Sequence, residues 1–463
     1  MPANINSSIL TYRIINFFNF LIVINIINKP LLSSIIQVTI QLHIIYIKDK
    51  YLMGFREKLT FMLLHPRFLI EHVYLQKELL SHRRRKKQTW LFQCDYEGHY
   101  PYLRPYVDLA NAHDGIELYI TYGRPRDVAL ERYLVTNGFP SRRIIHPVDH
   151  VRFSLFDVYV SPTEWGNCFP WNNDVIRVQL FHTLGDKGIE YGDELLNFDV
   201  IFANGPVHHD FLDKYVFSRH PSARQACKVI NVGYAKIDDL FDGTYNRENL
   251  LENLGFSSSE TRKVILYAPN WESSSALAKY GERVFDVLAG TGHILLIKLH
   301  YMSLISPADH RGLFIQNPDR SDVAPWKDWR TILNRYKLLD NVRVIDDQNI
   351  NPYLFLADLM VTDYGGASLE FMTMNKPIVY LDCPEFFEIR GQDIFEKQAR
   401  ETGMITDDIA SLGHTIDLAL QDPEPYRSKR RELLSKLLYN PGNAARSGAK
   451  VLYDMVRQQK RRG

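Results

Sequence analysis

Apolar residues along this chain fall into short unbroken runs, separated by longer segments whose apolar positions recur at helical spacing. From Thr89 onward the two kinds alternate. The runs predict strands at 90–94, 116–121, 143–147, 155–160, 175–182, 200–204 and 228–232, with helices at 100–112, 127–137 and 208–218. A second series follows. Strands are expected at 264–268, 294–299, 342–345, 359–362 and 378–381, and helices at 247–254, 277–288, 367–374, 409–420, 426–438 and 444–458. Strands alternating with helices imply parallel sheets covered by helices on both faces. The polar segment 307–330, which holds Pro318 and Pro325, reads as an insertion loop.

The series break around 235–246, which divides an α/β chain into two doubly wound Rossmann-like domains, 89–240 and 241–463. Two such domains facing a cleft are the GT-B arrangement of nucleotide-dependent transferases. The segment before them differs. Residues 14–28 and 31–47 are uncharged and rich in Ile, Asn and Phe, interrupted by Lys29-Pro30. Each stretch is at or below the roughly 17–25 apolar residues that a membrane helix needs. No small-residue cleavage site follows a basic start, which argues against a signal peptide. For 1–52 a membrane anchor, a disordered or interface-lying extension, and a stretch outside the working protein all stay open. Residues 53–88 carry apolar positions at mixed helical spacing, broken at Pro66, and end in His82 followed by five cations, Arg83 to Lys87. Such a run is by default a solvated face. Directly after amphipathic helices it also suits anionic lipid head groups.

Composition narrows the chemistry. The 463 residues carry a formal net charge of +1, so no global field argues for nucleic acid. The cysteines, at 94, 168, 227 and 383, lie far apart and form no CxxC pair, as expected of reduced thiols in a cytosolic protein without a zinc site or disulfide frame. The HExxH, Walker A and GxSxG patterns are absent. No DxD-type metal motif is evident, and neither a metal nor a cofactor is expected.

The polar residues that remain sit where strands end, the place where open α/β sheets meet ligands. His182 closes the strand at 175–182, and a neutral imidazole there can take a proton from an attacking hydroxyl. Lys187 follows in a loop flanked by Gly185 and Gly188, suited to a phosphate. Lys298 and His300 end the strand at 294–299 and share a side by strand alternation; both can donate to phosphate oxygens. The segment Tyr267-Ala268-Pro269-Asn270-Trp271-Glu272 ends a neighbouring strand and borders the same cleft. After the strand at 359–362 comes Asp363-Tyr364-Gly365-Gly366, a turn whose glycines let backbone approach a ligand and whose following helix offers N–H groups to an anion. Ser368 adds a hydroxyl near that end, and Glu370 is placed to hold a ribose hydroxyl.

In order along the chain, VQLFH-x4-K, LYAPNW, IKLH and VTDYGGASLEF-x5-KPIVYLD resemble patterns of the CDP-glycerol glycerophosphotransferase family of teichoic-acid-type polymerases. The family forms are VQ-x-x-HGT-x-x-K, YAPTWR, KLHP and TDYSS-x-x-x-[DE] followed by KP. The resemblance spans about 89–448. It implies a GT-B fold, a cytidine-diphosphate donor held by the second domain, transfer of a polyol phosphate to a hydroxyl of a lipid-linked or polymeric glycan acceptor, and peripheral attachment to the cytoplasmic face of the membrane. It carries His182 and His300 into catalytic positions and Lys187 and Asp363 into donor-side ones. Departures stand at Thr183 for Gly, Glu272 for Arg, Tyr301 for Pro, and Gly365 and Gly366 for two serines. They leave open a different polyol donor, or a UDP-sugar as in GT-B glycosyltransferases and UDP-N-acetylglucosamine 2-epimerases. A non-catalytic role in glycan assembly also stays open.

Overall fold

Trp90, Leu91 and Phe92 are wholly buried, as are Leu295, Leu296 and Ile297 in the second half of the chain. Unbroken apolar runs of this kind suit strands covered on both faces. In the computed structural model each run lies inside a parallel sheet. The structure describes residues 66–123, 126–146, 155–163, 175–185, 192–305, 327–391 and 395–462. The 1–52 extension, the start of the segment that follows it, Cys168, Lys187 and most of the 307–330 segment lie outside the described residues.

The first sheet holds β1 (Gln88–Gln93), β2 (Ile116–Thr121), β3 (Ile144–Ile145), β4 (Val158–Ser161), β5 (Ile176–Leu180), β6 (Val200–Ala203) and β7 (Lys228–Asn231), in the order β3-β2-β1-β4-β5-β6-β7. The second holds β8 (Val264–Tyr267), β9 (Ile294–Ile297), β10 (Val342–Val344), β11 (Leu359–Thr362), β12 (Ile378–Leu381) and β13 (Met404–Thr406), in the order β10-β9-β8-β11-β12-β13. Every pairing is parallel. The direction of winding reverses between β1 and β4, where Trp90 pairs with Val158, and between β8 and β11, where Tyr267 pairs with Val361. Crevices at the carboxyl ends of such reversal points receive ligands in open α/β sheets. Both reversal points contribute to the cavity described below.

Helix α1 (Pro66–Arg84) begins at Pro66, a residue suited to the first helical position because its missing N–H would be unpaired there anyway. It continues into the basic run, and this changes the meaning of that run. Arg83 donates to the Leu155 carbonyl at 3.0 Å and faces Asp157, and Lys87 reaches Glu117 at 2.7 Å. Arg84, Arg85 and Lys86 stay exposed. Two of the five cations therefore fasten the helix to the sheet.

Helix α2 (Tyr100–Asn111) follows β1, and α3 (Gly366–Met372) follows β11. Helix α4 (Ala444–Arg462) belongs by sequence to the second domain, yet it packs on the first. Ala444, Ala445, Leu452 and Val456 join the core of Trp90, Phe92 and Tyr106. Gly448 permits this crossing, because a Cβ there would meet Phe202 and the Tyr106 ring at 3.0 Å. Asp238, at the domain boundary, accepts the Ala444 and Ala445 amides at 3.0 and 2.8 Å and so caps α4. The expected helix at 277–288 is two helices, Ala276–Tyr280 and Glu282–Gly290, divided at Gly281 with φ of 61°.

Candidate active site

A cavity of about 340 Å³ lies between the domains at the carboxyl ends of both sheets. From the first domain come Tyr96, Tyr102, His182, Thr183 and Lys236. From the second come Asn270, Trp271, Glu272, Lys298, His300, Tyr301 and the turn at Gly365 and Gly366, with Glu370 behind it.

The two histidines are wired differently. The His182 ring places Nδ1 at 3.0 Å from the Pro162 carbonyl, which can only accept, so Nδ1 carries the proton and the neutral ring has its lone pair on Nε2. Its backbone is held as well. Asn204 at the end of β6 donates to the Thr183 carbonyl at 2.9 Å. His300 does the reverse. Its Nδ1 accepts the Met302 amide at 3.2 Å, capping the turn 301–304, so the neutral ring carries its proton on Nε2. The Trp271 ring stacks beside it, 5.9 Å between centroids. One ring is thus set to accept a proton, the other to donate a hydrogen bond. Aromatic contacts run between them across the cleft: His182 to His99 at 5.8 Å, His99 to Tyr96 at 4.0 Å, Tyr96 to Tyr301 at 4.8 Å and Tyr301 to His300 at 4.9 Å.

Two side chains from neighbouring strand ends face the cavity with donors to spare. Asn270 accepts the Trp271 amide through its side-chain oxygen at 2.7 Å, which fixes the amide orientation, and its buried NH2 group has no hydrogen-bond acceptor among the described residues. Lys298 is 9% exposed and its ammonium reaches the Leu299 carbonyl at 3.3 Å. Burial pulls its pKa down to about 8, an effect that Asp347 partly offsets. An ammonium with one weak acceptor in a dry site is a ready partner for an anion.

Other residues singled out from the sequence have different work. The Asp363 carboxylate accepts the Asn270, Ala276 and Tyr364 amides at 2.9, 2.7 and 2.7 Å and does not line the cavity. It ties the ends of β8 and β11 together, and burial pushes its pKa up to about 6. The Ser368 hydroxyl donates to the Gly365 carbonyl at 2.7 Å, inside the first turn of α3, and lies outside the cavity lining. Glu370 reaches the cavity, but Lys236 approaches both its oxygens at 2.6 and 2.7 Å and Tyr234 donates to one at 3.0 Å. Burial alone would lower the pKa of Lys236; the Glu370 carboxylate more than offsets this and holds it above the ordinary lysine value. Gly365, with φ of 114°, makes the turn into α3, and a Cβ on Gly366 would stand 3.6 Å from the Thr183 hydroxyl of the other domain.

Tyr96, Tyr102, Tyr234 and Lys236 were not expected at this place. Tyr96 follows β1, so the strand-end rule applied to β1 points to it. Tyr234 and Lys236 fall in the interdomain boundary, where no periodicity marks them. Among the described residues no group of His, Cys, Asp and Glu is arranged to hold a metal ion.

Residues 328–453 match the family model described as CDP-glycerol:poly(glycerophosphate) glycerophosphotransferase. The teichoic acid poly(glycerol phosphate) polymerase of Bacillus spizizenii is 24% identical over 174 residues, 35% of this chain and 38% of that protein. The teichoic acid ribitol-phosphate polymerase TarL of Staphylococcus aureus is 24% identical over 178 residues, 36% of this chain and 27% of that protein. The matched stretch thus spans well under half the length of either relative. The solved structure of the wall teichoic acid polymerase TagF shares the fold, with a TM-score of 0.57 and 13% identity over 89% of this chain and 99% of that one. The family match lies in the second domain, and the fold likeness extends over both.

Proposed function

We propose that the cavity binds a CDP-linked polyol, of the CDP-glycerol class, and transfers its polyol phosphate to a hydroxyl of a teichoic-acid-like acceptor. The observation that carries this reading is the pair of buried donors, the Asn270 NH2 and the Lys298 ammonium, beside His300. A diphosphate supplies the acceptors these groups lack. The acceptor hydroxyl then approaches from the first domain, loses its proton to Nε2 of His182, and forms a P–O bond to the polyol-bearing phosphorus. The bond from that phosphorus to the CMP oxygen breaks. Lys298 and His300 stabilise the charge that collects on the phosphate oxygens and on departing CMP. Lys187, carried over from the resemblance, is assigned to the same phosphates. Glu272 and the two turn glycines, where the family pattern has Arg and serines, leave the polyol and the nucleotide to the test below.

The test is thermal stabilisation of the full chain by CMP, CDP-glycerol, CDP-ribitol and UDP-N-acetylglucosamine, followed by a CMP-release assay with a polyol-phosphate oligomer. Stabilisation and turnover with a CDP-linked compound are expected. A shift with the UDP-sugar alone would move the chain to glycosyl transfer, and no shift with any nucleotide would leave a non-catalytic role.

The acceptor is proposed to be lipid-linked or polymeric, at the cytoplasmic membrane face. Exposed Arg84, Arg85 and Lys86 stand beside the end of α4, because Arg83 and Lys460 converge on Asp157 at 3.7 and 3.0 Å. Two basic stretches distant in sequence thus form one corner suited to anionic lipid, each cation there adding about 1 kcal/mol. Among the described residues no helix is long and apolar enough to cross a membrane. Replacing Arg84, Arg85 and Lys86 by Gln should weaken binding to phosphatidylglycerol vesicles and flatten its salt dependence; unchanged binding would leave the corner as ordinary surface.

A further inference from the structure

Glu370 and Lys236 form an ion pair between the domains, at 2.6 Å, with side chains only 3% and 8% exposed. Glu370 rides on α3, directly behind the Gly365 turn. Lys236 and Tyr234 lie on the segment that leaves the first domain after β7. We propose that Lys236, Tyr234 and Glu370 form an interdomain latch that positions His182, so that the base is set only when the donor-side helix is docked. The inference rests on the transfer reading above.

Three contacts lead from the latch to His182. The Tyr234 hydroxyl lies 3.0 Å from a Glu370 oxygen and 3.2 Å from the His182 carbonyl. A phenol has one proton to give, so these two acceptors share it, and the carboxylate position governs how firmly the His182 backbone is held. Tyr102 sits between them. Its ring lies 4.8 Å from the Lys236 ammonium, 5.9 Å from the Tyr234 ring and 6.1 Å, edge on, from the His182 ring. The loop after His182 also abuts α3 itself. A Cβ on Gly185 would overlap the Glu396 carboxylate and meet Leu369 at 3.0 Å, so a larger residue there would have to displace these side chains.

The same contacts argue against Glu370 as a ligand for a ribose hydroxyl. Both its oxygens already accept from the ammonium, and one from the phenol as well. Turning the carboxylate to a ligand would leave Lys236 buried without its counter-charge, which is expensive in a dry site. None of the three residues touches a reacting atom in the proposed transfer. They are positioning residues. A displacement of about 1 Å at a reacting group can cost about 10²-fold in rate.

The experiment compares Tyr234→Phe, Glu370→Gln and Lys236→Arg in the full chain. It reads kcat and KM for the CDP-linked donor, stabilisation by CMP, and amide hydrogen exchange over residues 181–185. Tyr234→Phe, which removes one hydroxyl and preserves packing, should lower kcat about 10- to 100-fold, leave KM within about threefold and leave CMP stabilisation intact. Exchange over 181–185 should quicken in the same variant. Lys236→Arg should retain most of the turnover that Glu370→Gln loses. Unchanged kcat and unchanged exchange in Tyr234→Phe would overturn the latch. So would a Glu370→Gln variant that raises donor KM and weakens CMP stabilisation at unchanged kcat, the pattern of a ribose ligand. If the wild-type chain turns over no CDP-linked donor, the transfer reading fails by itself, and the exchange measurement still decides whether the latch holds the 181–185 loop.

Discussion

Two stretches of the second domain border the same cavity and use their polar side chains in opposite ways. The turn after β11 spends its side chains on the protein. Asp363 is saturated by backbone amides, Ser368 bonds back into its own helix, and Glu370 is taken by Lys236 and Tyr234. What this turn offers a ligand is the backbone at Gly365 and Gly366. The strand ends after β8 and β9 do the reverse. Asn270 is buried with its NH2 group unpaired among the described residues, and buried Lys298 reaches one carbonyl at 3.3 Å. The difference separates a scaffold from a reactive surface. Polar residues that are fully hydrogen-bonded within the protein hold the cleft in shape, and those left short of partners define what enters it.

The comparison breaks most visibly at the first-domain wall, where His182 faces both stretches. His182→Ala should lower turnover by roughly 10²–10⁴-fold, as expected for loss of a general base, with folding and nucleotide stabilisation intact. Near-normal CMP release by the purified variant would remove His182 from the catalytic role and leave the cavity without a base on that side.

The fold was largely legible because parallel strands buried on both faces read as unbroken apolar runs. Strands at 116–121, 359–362 and 378–381 begin and end where the pattern puts them. Strand β13 escaped notice for a physical reason. Its three residues, Met404–Thr406, lie half-exposed at the sheet edge, and a run so short carries no period. Helix α4 was legible as a helix, but its crossing to the first domain depends on a close approach at Gly448 that no spacing announces. At the site, the strand-end rule brought His182, Lys298, His300, Gly365 and Gly366 to one cavity. It did not separate Asp363 and Ser368, which hold the backbone, from Asn270, which holds the Trp271 amide and still keeps a buried NH2 group without an acceptor among the described residues. A polar letter after a strand is the same letter in both roles; its hydrogen-bond partners decide, and these come from residues as distant as Ala276 and Lys236.

A second prediction sharpens the contrast at Lys298. Its folded pKa of about 8 lies below the ordinary lysine value because burial disfavours the ammonium. The sign follows. A lysine whose pKa is depressed by folding costs stability while charged, and that cost fades as pH rises through about 8 towards the unfolded value near 10.4. Lys298→Met should therefore leave the protein at least as stable at pH 7. Donor affinity should behave oppositely. A hydrogen bond to a charged group contributes about 1.5–3 kcal/mol, so the variant should bind the CDP-linked donor about 10- to 150-fold more weakly. In the wild-type chain affinity should also decline above pH 8 as the ammonium loses its proton, and in Lys298→Met that decline should vanish. Calorimetric titration with CDP-glycerol at pH 7 and pH 9 checks both points. Equal affinities in the two proteins would return Lys298 to the scaffold.

The smallest expected effect falls on the opposite side of the comparison. Ser368 looks from its position like a phosphate ligand, near the start of a helix behind two glycines. Its hydroxyl instead donates to the Gly365 carbonyl, and the side chain is buried. Removing the hydroxyl leaves the Gly365 carbonyl with the Ser368 amide, at 3.2 Å, and loses one neutral hydrogen bond, at about 0.5–1.5 kcal/mol. Ser368→Ala should therefore lower the denaturation midpoint slightly and leave donor affinity within about twofold. A phosphate ligand would show the reverse, an unchanged midpoint and weaker donor binding. Measuring both on the same preparation decides whether the turn after β11 presents backbone alone to the cavity or a side chain as well, and hence whether Gly365 and Gly366 are its whole contribution to the donor site.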